Sequence, residues 1–350
     1  MLKSLDIHAL TLFPSVTLTF SPGLNIIVGE NGAGKTHLLK AAYSLLAVSA
    51  QSAEANETPT KSFLQKALAD KLVGVFRPDS LGRLASRRQG RSRCHLAAQF
   101  QDKRCNLALS FASNAENQVA IEAAPTAWLD KLPVYLPTRE LLSLYPGFIS
   151  MYRNQYVDFE ETWYDTSLLL GRPGIRGVKE KQLKELLTLL EDAMGGRVEQ
   201  DRSGRFYFKP ESGARIEIPL VAEGLRKLAM LARLVVTGSL LDKGYLFWDE
   251  PEANLNPRLI KRIAQVLVAL SKQGIQIFIA THSLFLLREL EILQTEAALE
   301  ARYFALAQSE NFVVHVQQGN SLDDVGPLVL LDEEVQQGDR FLALGEESHV

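Results

Sequence analysis

The sequence predicts an α/β fold built on a parallel sheet, and three observations predict it. Leu24–Val28 is an apolar run followed at once by Gly29-Glu30-Asn31-Gly32-Ala33-Gly34-Lys35-Thr36. Tyr245–Trp248 is a second apolar run ending in Asp249-Glu250, and Ile275–Ala280 a third ending in Thr281-His282-Ser283. Short apolar runs bounded by turn residues read as strands buried on both faces. In a parallel sheet such strand ends share one edge, where α/β folds bind ligands.

Taken in order, residues 2–20 alternate well enough for two strands, around Lys3–His8 and Val16–Phe20, ahead of a Ser21-Pro22-Gly23 turn. After the glycine-rich loop a helix with Leu39, Ala42, Tyr43 and Leu46 on one face runs to about Val48. The Ala/Ser/Glu/Asn-rich stretch Ser49–Thr60 reads as an exposed loop. Ser62–Leu72 reads as a helix, and Cys94–Phe100, Cys105–Phe111 and Gln118–Ala123 as strands of a small antiparallel insertion.

Val134–Pro137 looks like another strand, ending in Thr138-Arg139-Glu140. From Leu141 to Met194 the chain reads helical. The clearest case is Lys179–Met194, where Leu183, Leu186, Leu187 and Leu190 share one face and Gly195-Gly196 ends the helix. A hairpin containing Phe206–Phe208 and Ile216–Ile218 follows, and Val221-Ala222-Glu223-Gly224 leads into a helix over Leu225–Val236. Asn256 and Pro257 open a helix whose inner face is Ile260, Ile263, Val266, Leu267 and Leu270. The tail holds a helix, strands near Arg302–Ala307 and Phe312–Gln317, and an acidic segment. The expected organisation is a nucleotide-binding lobe from 1–48 and 245–350, a β insertion over 49–133, and a helical lobe over 134–244.

A chain of 350 residues, 46% hydrophobic and 23% charged, is that of a globular protein of about two domains or of one domain with insertions. The formal charge of −3 carries no global nucleic-acid signature, but its distribution is uneven. Arg77–Arg104 holds seven Arg and Lys103 against Asp79 and Asp102, a local +6, whereas 309–350 holds nine acids against Arg340. The basic stretch reads either as a solvated loop or as a sequence-independent phosphate contact through Arg83, Arg87, Arg88, Arg91 and Arg93. Only Cys94 and Cys105 occur, without metal-ligand spacing, and no apolar run of 18 residues exists. A reduced, cytoplasmic protein that does not span a membrane is expected.

The chemistry follows from the three strand ends. Gly29-x-x-x-x-Gly34-Lys35-Thr36 fits a phosphate-binding loop: glycines turn successive N–H groups toward a phosphate, Lys35 adds charge, and Thr36 offers a hydroxyl to magnesium. The helix that starts there, at residues such as His37, also points its dipole at the phosphates. Magnesium takes hard oxygen ligands, and Thr36 with Asp249 meet that need. Glu250 stands where a base for an attacking water is needed, and His282 can hold that water or the γ-phosphate. A lone Asp-Glu pair is usually a solvated turn and a lone His structural; three such strand ends together are not.

Order and spacing carry a resemblance. Asp249 follows Lys35 by 214 residues, with Gly224 shortly before it. This resembles the ABC-type ATPase heads of the SMC, RecF and OLD-like clan and not a ring-forming AAA+ motor, whose carboxylate follows much sooner. The resemblance implies a P-loop NTPase fold with a helical lobe and a small antiparallel β insertion. It implies Walker A at Gly29–Thr36, Walker B at Leu246–Glu250, a D-loop at Glu252–Pro257 with Asn254 and Asn256, and a switch histidine at His282. Val221–Leu225 takes the signature position, with Ala222 in place of the signature serine, and Leu136–Glu140 takes the Q-loop position without a glutamine. Arg226 or Lys227 is expected to supply compensating charge beside Glu223.

The resemblance also implies ATP and Mg2+ as cofactors and a second copy as partner, so that two chains sandwich two ATP molecules with Gly224 of one facing the phosphate loop of the other. The wording Pro-Thr-Arg-Glu-Leu-Leu-Ser at 137–143 and Leu-Leu-Asp-Glu-Glu at 330–334 looks like small bacterial AAA-family ATP-binding proteins that accompany an effector in anti-phage defence cassettes. A RecF-like DNA clamp is the alternative. The stretch after His282 is too short for the nuclease domain of OLD proteins, so any effector is expected in trans.

Overall fold

A computed structural model describes residues 1–86, 92–175, 180–241, 243–309, 313–326 and 329–347. The chain begins with the hairpin β1 (Leu2–Leu10) and β2 (Phe13–Thr19), then β3 (Leu24–Gly29), α1 (Lys35–Glu54) and α2 (Lys61–Phe76). Three strands follow, β4 (Arg93–Phe100), β5 (Leu107–Ala112) and β6 (Ala120–Ala123), and then β7 (Pro133–Leu136). The helices α3 (Gly147–Arg153), α4 (Glu161–Gly171) and α5 (Glu180–Met194) precede β8 (Gly196–Gln200), β9 (Phe206–Pro210) and β10 (Ile216–Glu217). The last third alternates: α6 (Glu223–Val236), β11 (Tyr245–Asp249), α7 (Pro257–Lys272), β12 (Gln276–Thr281), α8 (Leu284–Glu296), β13 (Ala301–Gln308), β14 (Val314–Gly319) and α9 (Val329–Glu347).

The central sheet has the order β14-β13-β3-β12-β11-β7, all parallel except β14. Every residue of β3, β11 and β12 is buried, as largely apolar runs require of strands covered on both faces. Side chains alternate between two cores. Ile26, Val28, Leu246, Trp248, Ile277 and Ile279 face the side packed by α5, α6, α7 and α8. Ile27, Tyr245, Phe247, Phe278 and Phe304 face α1 and the antiparallel sheet. There Phe247 and Phe278, paired in register, stack with ring centres 4.6 Å apart.

Three expectations are corrected. The small β insertion is not separate: β4, β5 and β6 extend the N-terminal hairpin into one five-stranded antiparallel sheet, β2-β1-β4-β5-β6, over the second core. The segment from 134 does not open a helical lobe, because β7 is the edge of the central sheet beside β11. Ser49–Thr60 is not all loop. α1 continues to Glu54, and Ser49 and Ser52 are buried, Ser49 accepting from the Leu129 N–H at 2.9 Å. The alanines of this stretch favour helix, and serine is small enough for close packing, so side-chain polarity was a poor guide to exposure.

Candidate active site

The C-terminal ends of β3, β11 and β12 lie side by side in the central sheet, and the residues after them converge. The loop after β3 turns through Gly32 at φ 86° and Gly34 at φ 90°, conformations that favour glycine. Gly29 is held by space as well: a Cβ there would lie 2.5 Å from the Leu306 carbonyl oxygen. Glu30, Asn31 and Gly32 are exposed, Ala33 and Lys35 buried. Lys35 Nζ donates to the carbonyls of Gly29 (2.8 Å) and Glu30 (3.0 Å) inside the loop. Burial lowers its pKa, chiefly by desolvation, so an anion in the loop would be a better partner for this ammonium than two neutral carbonyls.

Thr36 Oγ1 donates to Asp249 Oδ2 at 2.8 Å, joining the first turn of α1 to the end of β11. Asp249 Oδ1 is buried without a partner. Burial is the main cause that pushes this carboxyl up to about 6, with the charge of Glu250 adding to it and the Thr36 hydrogen bond opposing it. An orphaned carboxylate oxygen beside a threonine hydroxyl is a donor set that fits Mg2+, which would be held by Thr36 and Asp249 and would supply charge neutralisation to nucleotide phosphates.

A folded-state pKa raised above the unfolded value means that the native state binds the proton more tightly. The penalty for holding Asp249 charged is absent below about pH 4 and grows as pH rises through 6. Asp249→Asn is therefore expected to raise the stability of the nucleotide-free protein at pH 8 by about 3 kcal/mol and leave it unchanged near pH 4, in denaturant melts at both pH values. Equal stability at pH 8 would show that the carboxylate is solvated.

Glu250 adopts φ 47° and its N–H donates to the Ala280 carbonyl at 2.9 Å, which ties the turn to β12. A side chain held in the left-handed region has been aimed at a cost. Its Oε1 lies 3.2 Å from His282 Nδ1. Asn254, at φ 62°, also takes the left-handed region in the D-loop position, and the Asn256 side chain accepts from the Leu259 N–H at 3.0 Å and caps α7. Asn256 thus serves as a helix cap.

His37 turns its Nδ1 to Thr11 Oγ1 at 3.0 Å and its ring to Phe76, and burial lowers its pKa. In the Q-loop position Thr138 is half-buried and Arg139 exposed, while buried Glu140 takes Arg226 Nη1 at 2.8 Å. Lys227, fully buried, donates to the Ala253 carbonyl at 2.6 Å. Arg226 ties α6 to the Glu140 turn and Lys227 ties it to the D-loop; burial lowers the Lys227 pKa, and Glu223 is the leading charge that opposes this.

Gly224 has a use within its own chain. A Cβ there would lie 2.7 Å from Leu255 Cδ2 and 3.0 Å from Leu259 Cδ1, so the glycine lets α6 close on the D-loop. Ala222, by contrast, is exposed, and α6 starts without a side-chain cap. Gly224→Ala is expected to destabilise the fold by about 1–3 kcal/mol through overpacking, read by urea denaturation. A change below about 0.5 kcal/mol would show that the leucines give way.

Of the basic stretch, Arg83 pairs with Asp79 at 3.2 Å and Arg93 donates to Ser110 Oγ at 2.7 Å. Arg87, Arg88 and Arg91 lie outside the described residues. Glu252, which opens the D-loop position, carries no role of its own in the sequence reading; its signal is its place in the Glu-Pro-Glu run after β11.

Comparison with known proteins agrees with this geometry. Residues 115–288 match an AAA-domain family whose description names the AbiEii toxin of a type IV toxin–antitoxin system as a candidate member, and residues 4–58 match a second AAA-domain family. No curated protein sequence matches the chain. An Smc head bound to the C-winged helix domain of ScpA is similar at 14% identity and TM-score 0.53, over 92% of this chain and 98% of that one. An Smc head with an extended coiled coil, bound to the C-terminal domain of ScpA derived from Pyrococcus furiosus, is similar at 12% identity and TM-score 0.54, over 97% and 99%. The chain has the fold of an ABC-type ATPase head of the SMC clan. Among the described residues no helix is long and apolar enough to cross a membrane.

Proposed function

We propose that the protein is a Mg2+-dependent ATP hydrolase that closes with a second copy around ATP and controls a protein effector. The observation that carries this is the convergence of Lys35, the Thr36–Asp249 hydrogen bond with its orphaned Oδ1, and the Glu250–His282 contact at one sheet edge. These residues bind phosphate, hold a cation and present a carboxylate to water. Glu250 takes the proton of the attacking water, and His282 orients the water or the γ-phosphate.

The start of α6 supports completion in trans, because its cap residue Ala222 offers no side-chain acceptor to the first N–H groups, although those of Leu225 and Arg226 already bond the Ala222 carbonyl. With Gly224 covered by Leu255 and Leu259, the surface offered to a partner's phosphate is Ala222 and the first turn of α6. A protein effector is favoured by the toxin–antitoxin description of the matched family and by the ScpA domains seated on the similar heads, and a cytoplasmic role in anti-phage defence is the setting these suggest.

A pull-down with Glu250→Gln in ATP, scored for protein and DNA together, tests the role. The account expects a protein that leaves when ATP is omitted. Recovery of DNA alone, lost as salt rises, would favour the clamp. Phosphate released from Mg-ATP without any acceptor tests hydrolysis itself.

A further inference from the structure

Glu252 is the fourth residue of the Asp-Glu-Pro-Glu run and is buried, with 7% of its surface exposed. Its Oε1 accepts from Thr281 Oγ1 at 2.6 Å and from the His282 N–H at 3.1 Å, and lies 3.7 Å from His282 Nδ1. Thr281 Oγ1 in turn accepts from the Ser283 N–H at 3.0 Å, and Ser283 Oγ caps α8 by accepting from Leu286 N. One carboxylate thus grips the strand end that carries His282. Its second oxygen, Oε2, is buried with no partner.

A structural staple does not need this charge. A glutamine keeps an acceptor oxygen for Thr281 and the His282 N–H, whereas a buried carboxylate pays a desolvation penalty and here leaves one oxygen unsatisfied. What the charge adds is directed at the imidazole. Carboxylates only accept, so Nδ1, flanked by Glu250 Oε1 at 3.2 Å and Glu252 Oε1 at 3.7 Å, carries the N–H. Nε2 is then the ring nitrogen left for water or phosphate. Glu250 is reserved for the attacking water, whereas Glu252 is pinned by two hydrogen bonds.

We infer that Glu252 is a positioning residue of the hydrolytic step, fixing the place and tautomer of His282 while Glu250 acts as base. The inference rests on the ATPase reading above. Because Glu252 acts through His282, the two are coupled, and their effects must not add.

The test is a double-mutant cycle on Mg-ATP turnover with Glu252→Gln, His282→Ala and the pair, with thermal melts of all three. Glu252→Gln is expected to melt within a few degrees of wild type, keep KM for ATP within about twofold, and lose about 10- to 100-fold in kcat, at or below the low end of a direct general acid–base contribution, as befits a residue that acts through another. In the His282→Ala background the same substitution is expected to change kcat less than about twofold. Independent, multiplying losses, or a Glu252→Gln protein with wild-type kcat, would overturn the inference and leave the ATPase reading intact. Wild-type protein that releases no phosphate would overturn both. Should Glu252→Gln fail to fold, Thr281 takes its place: Thr281→Ser keeps the hydroxyl donor and is expected to retain kcat, while Thr281→Val loses it at unchanged KM, and equal kcat in the two would contradict the coupling.

Discussion

Replacing Glu250 by glutamine is expected to lower Mg-ATP turnover by 10²- to 10⁴-fold, the usual contribution of a positioned general base, while ATP affinity stays within a few-fold. The reasoning is geometric. Glu250 sits one residue beyond the cation-binding position and is aimed by a left-handed backbone at φ 47° that the Ala280 carbonyl holds in place. Glutamine fits the same space and keeps the backbone bond, so binding groups such as Lys35 and Thr36 are untouched. It removes the proton acceptor, together with the negative charge that Glu250 sets beside Lys35 and Asp249, which accounts for the few-fold allowance in affinity. Turnover assays with ATP affinity measured in parallel check this. Loss of affinity with unchanged kcat would reassign Glu250 to binding, and unchanged kcat and affinity would place the base elsewhere.

The second large effect concerns what holds the phosphate-binding helix to the rest of the molecule. Lys71 of α2, 5% exposed at its side chain, pairs with Glu161 and with Asp165 Oδ2 at 3.0 Å, both on α4. Asp165 also accepts from Tyr43 OH at 2.7 Å and Gln51 Nε2 at 3.1 Å, both on α1. Three helices meet on this one buried network. Burial pushes the Glu161 carboxyl up, and the two carboxylates together hold the Lys71 ammonium above its ordinary value against the opposing desolvation.

Lys71→Met leaves two carboxylates without their cation and is expected to destabilise the fold by about 3–5 kcal/mol, the cost of breaking a buried pair from one side. Adding Glu161→Gln and Asp165→Asn removes the stranded charge and is expected to recover most of that loss. The single variant should also recover on acidification. A carboxylate whose folded pKa is raised is stabilising when protonated, and that advantage is lost as pH rises through the folded value. Urea denaturation at pH 5 and pH 8 reads both effects, and a loss below about 1 kcal/mol would mean that water already reaches the network.

The site was largely legible because its residues follow strands that are largely apolar runs. Gly29–Thr36, Asp249-Glu250 and His282 each sit just past such a run, and a parallel sheet brings those ends together whatever the intervening chain does. Asn256 was legible for a different reason, since a cap is a local device. What was not legible depends on pairing between distant segments. Nothing in Arg93–Phe100 says that it will pair with Leu2–Leu10. Pro133–Leu136 gives no sign that its neighbour lies beyond residue 240. Arg226 looked like a free cation until Glu140 stood opposite it, and the use of Gly224 within its own chain showed only once Leu255 and Leu259 stood beside it. Serines 49 and 52 misled because polarity was read as exposure, when small size was the property in use.

The central claim is that this site is completed by a second copy when ATP is bound. Static light scattering of Glu250→Gln with Mg-ATP tests it directly, since the variant binds without turning over. The chain has a mass of 38.9 kDa, so the account predicts a species of twice that, 77.8 kDa, in ATP and not in its absence. A 38.9 kDa species with ATP bound would contradict it.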